Sequence, residues 1–268
     1  MLKFIDASVT YANGSVALEN FNLEINKGQI ISLVGESGSG KTTAIRAAIG
    51  LLPIGGSISS GDITLNDKSI SNLSSKQWQQ IRGIDLSMIF QDCGAMLNPI
   101  RTIGSQFIEY IRKHEKISKS DAHKKAVSIL EDMGLYDGEA IMKSIPSNLS
   151  GGMRQRVGIA MAMIFKPQLL LADEPTSALD VTIQAQIVRQ MMELRDNFNT
   201  SILMVTHNLG VAAYMSDIIV VMKDGKIVET GSRDDILNNP KDDYTKKLIA
   251  SIPDMNKSVI DEKGVNYA

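Results

Sequence analysis

Cysteine is almost absent. Cys93 is the single example in 268 residues, which excludes an internal disulfide and any cysteine-rich metal site. The scarcity is compatible with a reducing compartment. Long apolar runs are missing as well. No stretch approaches the ~20 apolar residues of a membrane span, so any membrane role has to come through a partner. The opening residues Met1-Leu2-Lys3-Phe4-Ile5-Asp6 hold no apolar block that could serve as a signal peptide. There is no basic surplus either: 28 Lys and Arg against 30 Asp and Glu give a formal net charge of −2. That leaves no broad electrostatic case for a nucleic-acid partner. Internal repeats, low-complexity tracts and long heptad runs are also lacking. What remains is an ordinary globular composition, 43% hydrophobic and 22% charged. It suits one large domain, or one core with a subdomain.

Against this background one stretch stands out. Gly35-Glu36-Ser37-Gly38-Ser39-Gly40-Lys41-Thr42 fits the phosphate-loop pattern G-x-x-x-x-G-K-[ST] at every position. The apolar run 30–34 before it reads as a buried strand, and residues 43–49 after it as the opening of a helix. Strand, glycine turn and helix converge backbone N–H groups and the positive end of a helix dipole on phosphates. Lys41 then reaches the β- and γ-phosphates, and the Thr42 hydroxyl ligates Mg²⁺. Nucleotide binding is expected; the loop alone does not say for which machine.

Residues 4–11 and 17–25 alternate apolar and polar around Asn13-Gly14, a hairpin signal with a loop longer than two residues. Residues 61–67 read as a further short strand, so an antiparallel sheet is expected beside the nucleotide core. Residues 71–82 are polar and read as a surface helix, and Met88-Ile89-Phe90 as a strand ending on Gln91. From 94 to 143 the periodicity turns helical, as in Ile103, Phe107, Ile108 and Ile111, then Ala126, Val127, Leu130 and Met133. The charges of 113–125, with His114 and His123 among them, read as a solvated face. This block is a helical subdomain inserted into an α/β core. Beyond it, residues 168–173, 201–206 and 217–222 read as strands and 182–197 as a helix. A late hairpin turns at Lys223-Asp224-Gly225 into 226–229, and a polar tail begins near Asp254. Strands alternating with helices predict a mostly parallel sheet.

Asp173 and Glu174 close an apolar strand about 130 residues after the phosphate loop. In an open α/β sheet, ligands lie beyond the carboxyl ends of the strands. Asp173 can hold Mg²⁺ through its water shell, and Glu174 can orient and polarise an attacking water. An isolated Asp-Glu at a strand end is more often a solvated acidic pair. The phosphate loop and the following Pro175 favour the catalytic reading. His207 ends the neighbouring strand; alone it would read as structural, but in this setting it can donate to the γ-phosphate. The Gln91 amide can touch Mg²⁺ or the attacking water, and its place at the junction suits reporting nucleotide state to the helical block. Spacing alone leaves it open as an ordinary strand-end residue. Tyr11 is either a platform for a nucleotide base or a core aromatic, and position leaves the two even. In Leu149-Ser150-Gly151-Gly152-Met153-Arg154-Gln155-Arg156, a serine hydroxyl and glycine N–H groups open a helix and make a second anion nest. One γ-phosphate does not need two nests on one chain. A second is useful if it covers a nucleotide held by another copy.

Residues 35–42, Gln91, Leu149-Ser150-Gly151-Gly152-Met153, the strand 169–174, Ser177-Ala178-Leu179-Asp180 and His207 together resemble the nucleotide-binding subunit of an ABC transporter, over roughly residues 4–253. The LSGG stretch is that family's signature and separates it from kinases, GTPases and other phosphate-loop proteins. The resemblance implies a RecA-like P-loop core with an antiparallel β subdomain and an inserted α-helical subdomain. One nucleotide-binding domain would span 1–253: catalytic core and β subdomain at 1–92 and 159–240, helical subdomain with the signature at 93–158, and a polar tail at 254–268. It also implies ATP and Mg²⁺, bound at the interface of a head-to-tail dimer with a second ATP-binding subunit, identical or closely related. Gly35, Glu36, Ser37, Gly38, Ser39, Gly40, Lys41, Thr42 and Thr43 would hold ATP from one copy. Ser150, Gly151, Gly152 and Asp180 would close over it in trans. Tyr11 would stack on the base, Thr42, Gln91 and Asp173 would hold Mg²⁺, and Glu174, His207 and Gln91 would serve catalysis. Residues 177–180 would run between the two sites.

A narrower likeness rests on Phe90-Gln91-Asp92 with Leu97-Asn98-Pro99, on 151–157, on 172–181, on 206–211, and on Tyr244-Thr245 with Ser251-Ile252-Pro253. These resemble the subunits of oligopeptide and nickel importers. Cys93 departs from the proline usual after Gln-Asp, and Asp242-Asp243 stands where His-Pro commonly precedes Tyr-Thr. Neither departure is expected to touch the phosphate chemistry. The short stretch after Pro253 leans towards nickel or metallophore-type subunits. The expected protein is the ATP-hydrolysing subunit of an importer at the cytoplasmic face of the membrane. It would drive uptake of peptide, nickel or a metal–chelator complex through separate transmembrane permease subunits. An extracytoplasmic solute-binding protein would be an indirect partner, and nucleic acid none. The alternatives are an exporter subunit or a soluble ABC ATPase acting on ribosomes or DNA. A single cassette without a long heptad run or basic surplus speaks against the latter. Glu174 and His207 speak against a regulator that binds ATP without turning it over.

Overall fold

Two kinds of hydrophobic pattern build two different sheets. The computed structural model describes residues 1–177 and 179–250; Ala178, Ser251-Ile252-Pro253 and the 254–268 tail lie outside the described residues. In chain order the strands are β1 (Leu2–Thr10), β2 (Val16–Ile25), β3 (Ile30–Val34), β4 (Ser57–Leu65), β5 (Lys68–Ser69), β6 (Leu86–Ile89), β7 (Leu169–Asp173), β8 (Ser201–Val205), β9 (Ile218–Lys223) and β10 (Lys226–Gly231). The helices are α1 (Lys41–Ala48), α2 (Ser75–Ile81), α3 (Cys93–Met96), α4 (Ile103–His114), α5 (Lys119–Asp132), α6 (Gly138–Lys143), α7 (Gly151–Met163), α8 (Val181–Phe198), α9 (Leu209–Met215), α10 (Arg233–Asn238) and α11 (Asp243–Ala250).

The alternating stretches form an antiparallel sheet in the order β2-β1-β4-β5. Its inward side chains include Phe4 and Phe21, whose rings meet edge to face at 5.0 Å. The unbroken apolar runs form the second sheet, ordered β10-β9-β3-β8-β7-β6. All its pairings are parallel except the β9–β10 hairpin. Every residue of β3, β7 and β8 is buried, as expected of parallel strands covered on both faces. Each such Val, Leu or Ile contributes about 1.5–3 kcal/mol by leaving water. Because β3, β6, β7 and β8 run parallel, the residues after their carboxyl ends gather along one edge of the sheet. That edge carries the site.

The helices from α3 to α7 fill the expected insertion, around a core that includes Phe107, Ile111, Ala126, Leu130 and Met133. The boundary drawn between 158 and 159 falls inside α7, which runs unbroken to Met163. The passage back to the core is therefore a helix, not a linker. His114 also departs from expectation. It is only partly exposed, edge-on to Tyr110 and Phe165 at 5.2 Å each, and burial lowers its pKa. His123 pairs with Glu139 at 3.0 Å near the surface. The polar helix at 71–82 is shorter than expected and anchored by Trp78, which is buried and lies under the Arg82 guanidinium at 4.5 Å. α9, α10 and α11, of seven, six and eight residues, are too short to display a helical period in sequence. Among the described residues, no helix is long and apolar enough to cross a membrane.

Candidate active site

The phosphate loop is wedged between β2 and the β9–β10 turn. Ser39 O accepts from Gly225 N at 3.1 Å. A Cβ on Gly35 would come within 2.2 Å of the Met222 carbonyl oxygen, and one on Gly40 within 2.5 Å of the Ala17 carbonyl oxygen. Both glycines also hold positive φ, 148° and 99°, so no larger residue fits. α1 opens on Gly40 without a side-chain cap, whereas α4, α5, α7 and α8 are capped by Thr102, Ser118, Ser150 and Asp180. The first-turn N–H donors of α1 are thus the ones no side chain claims, as a phosphate-binding helix requires. Lys41 is buried inside the loop's curl, where its Nζ donates to Gly35 O (2.8 Å), Glu36 O (2.7 Å) and Ser39 Oγ (3.2 Å). Burial lowers its pKa, and Glu174, Asp173 and Glu36 oppose that shift.

The Thr42 hydroxyl donates to Asp173 Oδ1 at 3.0 Å. Asp173 is 6% exposed. Desolvation raises its pKa, while the Thr42 hydrogen bond and the Arg46 charge pull it down and Glu174 pushes it up. The Thr42 hydroxyl and the Asp173 carboxylate are oxygen donors of the kind a hard cation takes, and the Gln91 amide meets the neighbouring Glu174 at 3.4 Å. Among the described residues no three His, Cys, Asp or Glu side chains converge as a metal cage. Thr42 and Asp173 fit Mg²⁺, an ion that usually takes only one or two carboxylates from the protein, and would be the groups to hold it.

Glu174 follows directly. Its backbone N–H donates to Val205 O at 2.9 Å, and its φ of 48° is left-handed, strain of a kind that clusters at functional sites. The Gln91 amide donates to its Oε2 at 3.4 Å, and His207 Nδ1 stands 3.3 Å from the same oxygen. The ends of β6, β7 and β8 therefore meet on one carboxylate. Tyr11 is half-exposed rather than a core aromatic. Its hydroxyl bonds Thr43 Oγ1 at 2.8 Å, and the Gly56 backbone lies so close that a Cβ there would be 3.0 Å from the ring.

Ser150 Oγ accepts from Met153 N at 3.2 Å and Asp180 Oδ1 from Ile183 N at 3.0 Å. Ile183, whose N–H Asp180 caps, also packs beside the signature: its Cγ2 would lie 3.0 Å from a Cβ on Gly152. A Cβ on Gly151 would meet nothing. Among the described residues, no hydrogen bond or ion pair joins Ser150, Gly151, Gly152 or Asp180 to residues 35–43. The predicted residues thus fall into two groups within one chain. The first is the loop with Tyr11, Gln91, Asp173, Glu174 and His207. The second is Ser150, Gly151, Gly152 and Asp180.

Two contacts escaped the sequence reading. Gln155 on α7 is buried and donates to Pro175 O at 2.6 Å, tying the signature helix to the turn after Glu174. Tyr244 Oη accepts from the Glu36 backbone N–H at 2.9 Å. The departures have local reasons. Cys93 is buried against α7, where a Cβ on Gly158 would come within 2.4 Å of its own, and burial pushes its thiol to about 11. Asp242 Oδ1 accepts from the N–H groups of Tyr244 (2.8 Å) and Thr245 (3.4 Å), and so caps α11.

Residues 18–177 match the family described as ABC transporter. The chain belongs to that family. Residues 228–264 match the oligopeptide/dipeptide transporter C-terminal region. The ABC chain is 46% identical over 250 residues to the oligopeptide transport ATP-binding protein OppD of Bacillus subtilis (strain 168), covering 93% of this chain and 70% of that one. It is 43% identical over 251 residues to the dipeptide transport ATP-binding protein DppD of Lactococcus lactis subsp. cremoris (strain MG1363), covering 93% and 72%. A dimeric ATP-binding cassette in a post-hydrolysis state with ADP and Pi bound has the same fold. Its TM-score is 0.78 at 28% identity, covering 87% of this chain and 99% of that one. The RecA-like P-loop architecture is thus that of ABC ATPases, and this ABC chain binds ATP and couples its hydrolysis to transport.

Proposed function

We propose that the chain powers the uptake of peptides as the ATPase subunit of an importer. It would act at the cytoplasmic face as a head-to-tail dimer of ATP-binding subunits beneath separate permease subunits. The observation that carries the chemistry is the Glu174 carboxylate, within 3.4 Å of the Gln91 amide and 3.3 Å of His207 Nδ1. Glu174 accepts a hydrogen bond from the attacking water and aligns it with the γ-phosphate. Gln91 fixes that carboxylate from β6, and His207 donates towards the γ-phosphate from β8. Lys41 exchanges loop oxygens for β- and γ-phosphate oxygens, and Tyr11 stacks on the base. Thr42, Asp173 and Gln91 would hold Mg²⁺, which would supply positive charge to offset that on the nucleotide's phosphates. Ser150, Gly151, Gly152 and Asp180 complete the site of the other copy, in keeping with the lack of any hydrogen bond or ion pair, among the described residues, between them and the loop of their own chain. The domain division follows the same reading, with the helical subdomain extended to the end of α7.

Peptide is favoured as cargo by the names of the relatives and by the C-terminal match. The nickel or metallophore reading rests on the motif likeness shared by oligopeptide and nickel importers, and neither relative named above is a nickel transporter. The test is uptake of a labelled oligopeptide and of labelled nickel by cells carrying the wild-type chain or Lys41→Ala. Loss of peptide uptake with nickel uptake unchanged is expected. Loss of nickel uptake with peptide uptake intact would reverse the cargo, and no change in either would refute the import reading for both.

A further inference from the structure

One peptide plane of the phosphate loop is gripped from both sides. The carbonyl of Gly35 and the N–H of Glu36 belong to the same planar unit and point in opposite directions. On the inner side, Gly35 O accepts from Lys41 Nζ at 2.8 Å. On the outer side, Glu36 N–H donates to Tyr244 Oη at 2.9 Å, from 208 positions away in the chain. Tyr244 is itself held in place. Lys223 Nζ lies 5.2 Å from its ring centroid, and Lys223 follows Met222, whose carbonyl packs on Gly35. The start of α11 is clamped to β10, because the Glu229 carboxylate accepts from Lys241 N at 2.8 Å and Asp242 N at 3.1 Å. Asp242 then caps the first turn at Tyr244 and Thr245. The chain from Glu229 to Tyr244 forms a strut between the edge hairpin and the phosphate loop.

We propose that Tyr244 is a positioning residue for ATP binding. By fixing the Glu36 N–H, its hydroxyl orients the Gly35 carbonyl that docks the Lys41 ammonium, and so presets the lysine for the β- and γ-phosphates. The proposal rests on the reading of ATP as substrate. It makes the C-terminal segment part of the nucleotide site, since a displacement of α11 reaches Lys41 through a single peptide. Asp242, a departure from the family pattern, then matters to phosphate binding through the helix it caps.

The test compares wild type, Tyr244→Phe and Tyr244→Leu in the purified full chain. Tyr244→Phe keeps the ring over Lys223 and removes only the acceptor. It should raise the KM for ATP, and the Kd of a fluorescent ATP analogue, by about three- to tenfold, the size of one hydrogen bond. The kcat and Tm should stay at wild-type values. Tyr244→Leu should raise KM as much and lower Tm as well. A Tyr244→Phe chain with unchanged KM and Kd overturns the proposal. So does one whose Tm and kcat fall while KM holds, because that is a packing role alone. A wild-type chain that neither binds nor hydrolyses ATP would instead refute the reading of the site itself, so the two failures are distinguishable.

Discussion

Thr42 Oγ1 donates a hydrogen bond of 3.0 Å to Asp173 Oδ1 across 131 positions of the chain. The contact ties the helix after β3 to the end of β7, strands separated in the sheet by β8. It brings a hydroxyl and a carboxylate together where burial alone would disfavour the charge on Asp173. Asp173→Asn keeps an acceptor for Thr42 and removes that charge. Half-activation by Mg²⁺ should move to at least about tenfold higher concentration, in line with the cost of altering groups around a metal. ATPase rates over a Mg²⁺ titration read this directly. An unmoved curve would remove Asp173 from the metal set.

Glu174→Gln preserves size and one hydrogen-bond acceptor while removing the base. ATP binding should remain, and turnover should fall by about 10²–10⁴-fold, the usual worth of a positioned general base. Single-turnover phosphate release with an equilibrium binding assay separates the two effects. Hydrolysis at the parent rate would mean that the water is activated elsewhere.

The sites differ in how they are encoded. β3, β7 and β8 were legible because strands buried on both faces must be apolar throughout. The phosphate loop was legible because its backbone curl needs glycines at set places and its chemistry needs Lys41 and Thr42 next to them. Asp180 was reached only through the family resemblance, whereas Ser150 could be read because a serine that opens a helix is a local signal. Tyr244 could not, since a bond between a phenol and a backbone N–H 208 positions away leaves no period and no spacing. Gln155 was hidden for a similar reason: the polar end of a buried side chain answers to Pro175 O, a carbonyl that no residue type announces. His114 looked solvated because its neighbours are charged, yet Tyr110 and Phe165 cover it from other turns.

Cys93 gives a prediction in pH. Its thiol is buried and shifted up to about 11, against ~8.5 for an unfolded chain. At pH 8 about one folded molecule in a thousand carries the thiolate, against about a quarter of unfolded ones. Alkylation of the native chain at pH 8 should therefore be negligible and should become rapid in denaturant. The folded state resists losing this proton, so its contribution to stability is full below ~8.5 and declines as pH rises towards 11. Cys93→Ala should flatten that part of the alkaline stability profile. Fast native labelling at pH 8 would show that α3 opens from α7.

The separation of the two residue groups can be tested in trans. Lys41→Ala disables the loop of its own chain, and Ser150→Arg disables the cover it lends to a partner. In a head-to-tail pair of the two variants, one interface combines both defects and the other combines an intact loop with an intact signature. Each variant alone should be inactive. An equal mixture should recover roughly a quarter of wild-type activity, because half of randomly formed dimers are mixed and each keeps one good site of two. In a covalently linked pair, a doubly substituted chain beside a wild-type chain should be inactive, because each interface then carries one defect. If the mixture stays as inactive as its components, Ser150 acts within its own chain. Ser150 would then have to meet the loop of its own chain through a closure of the helical subdomain rather than through a second copy.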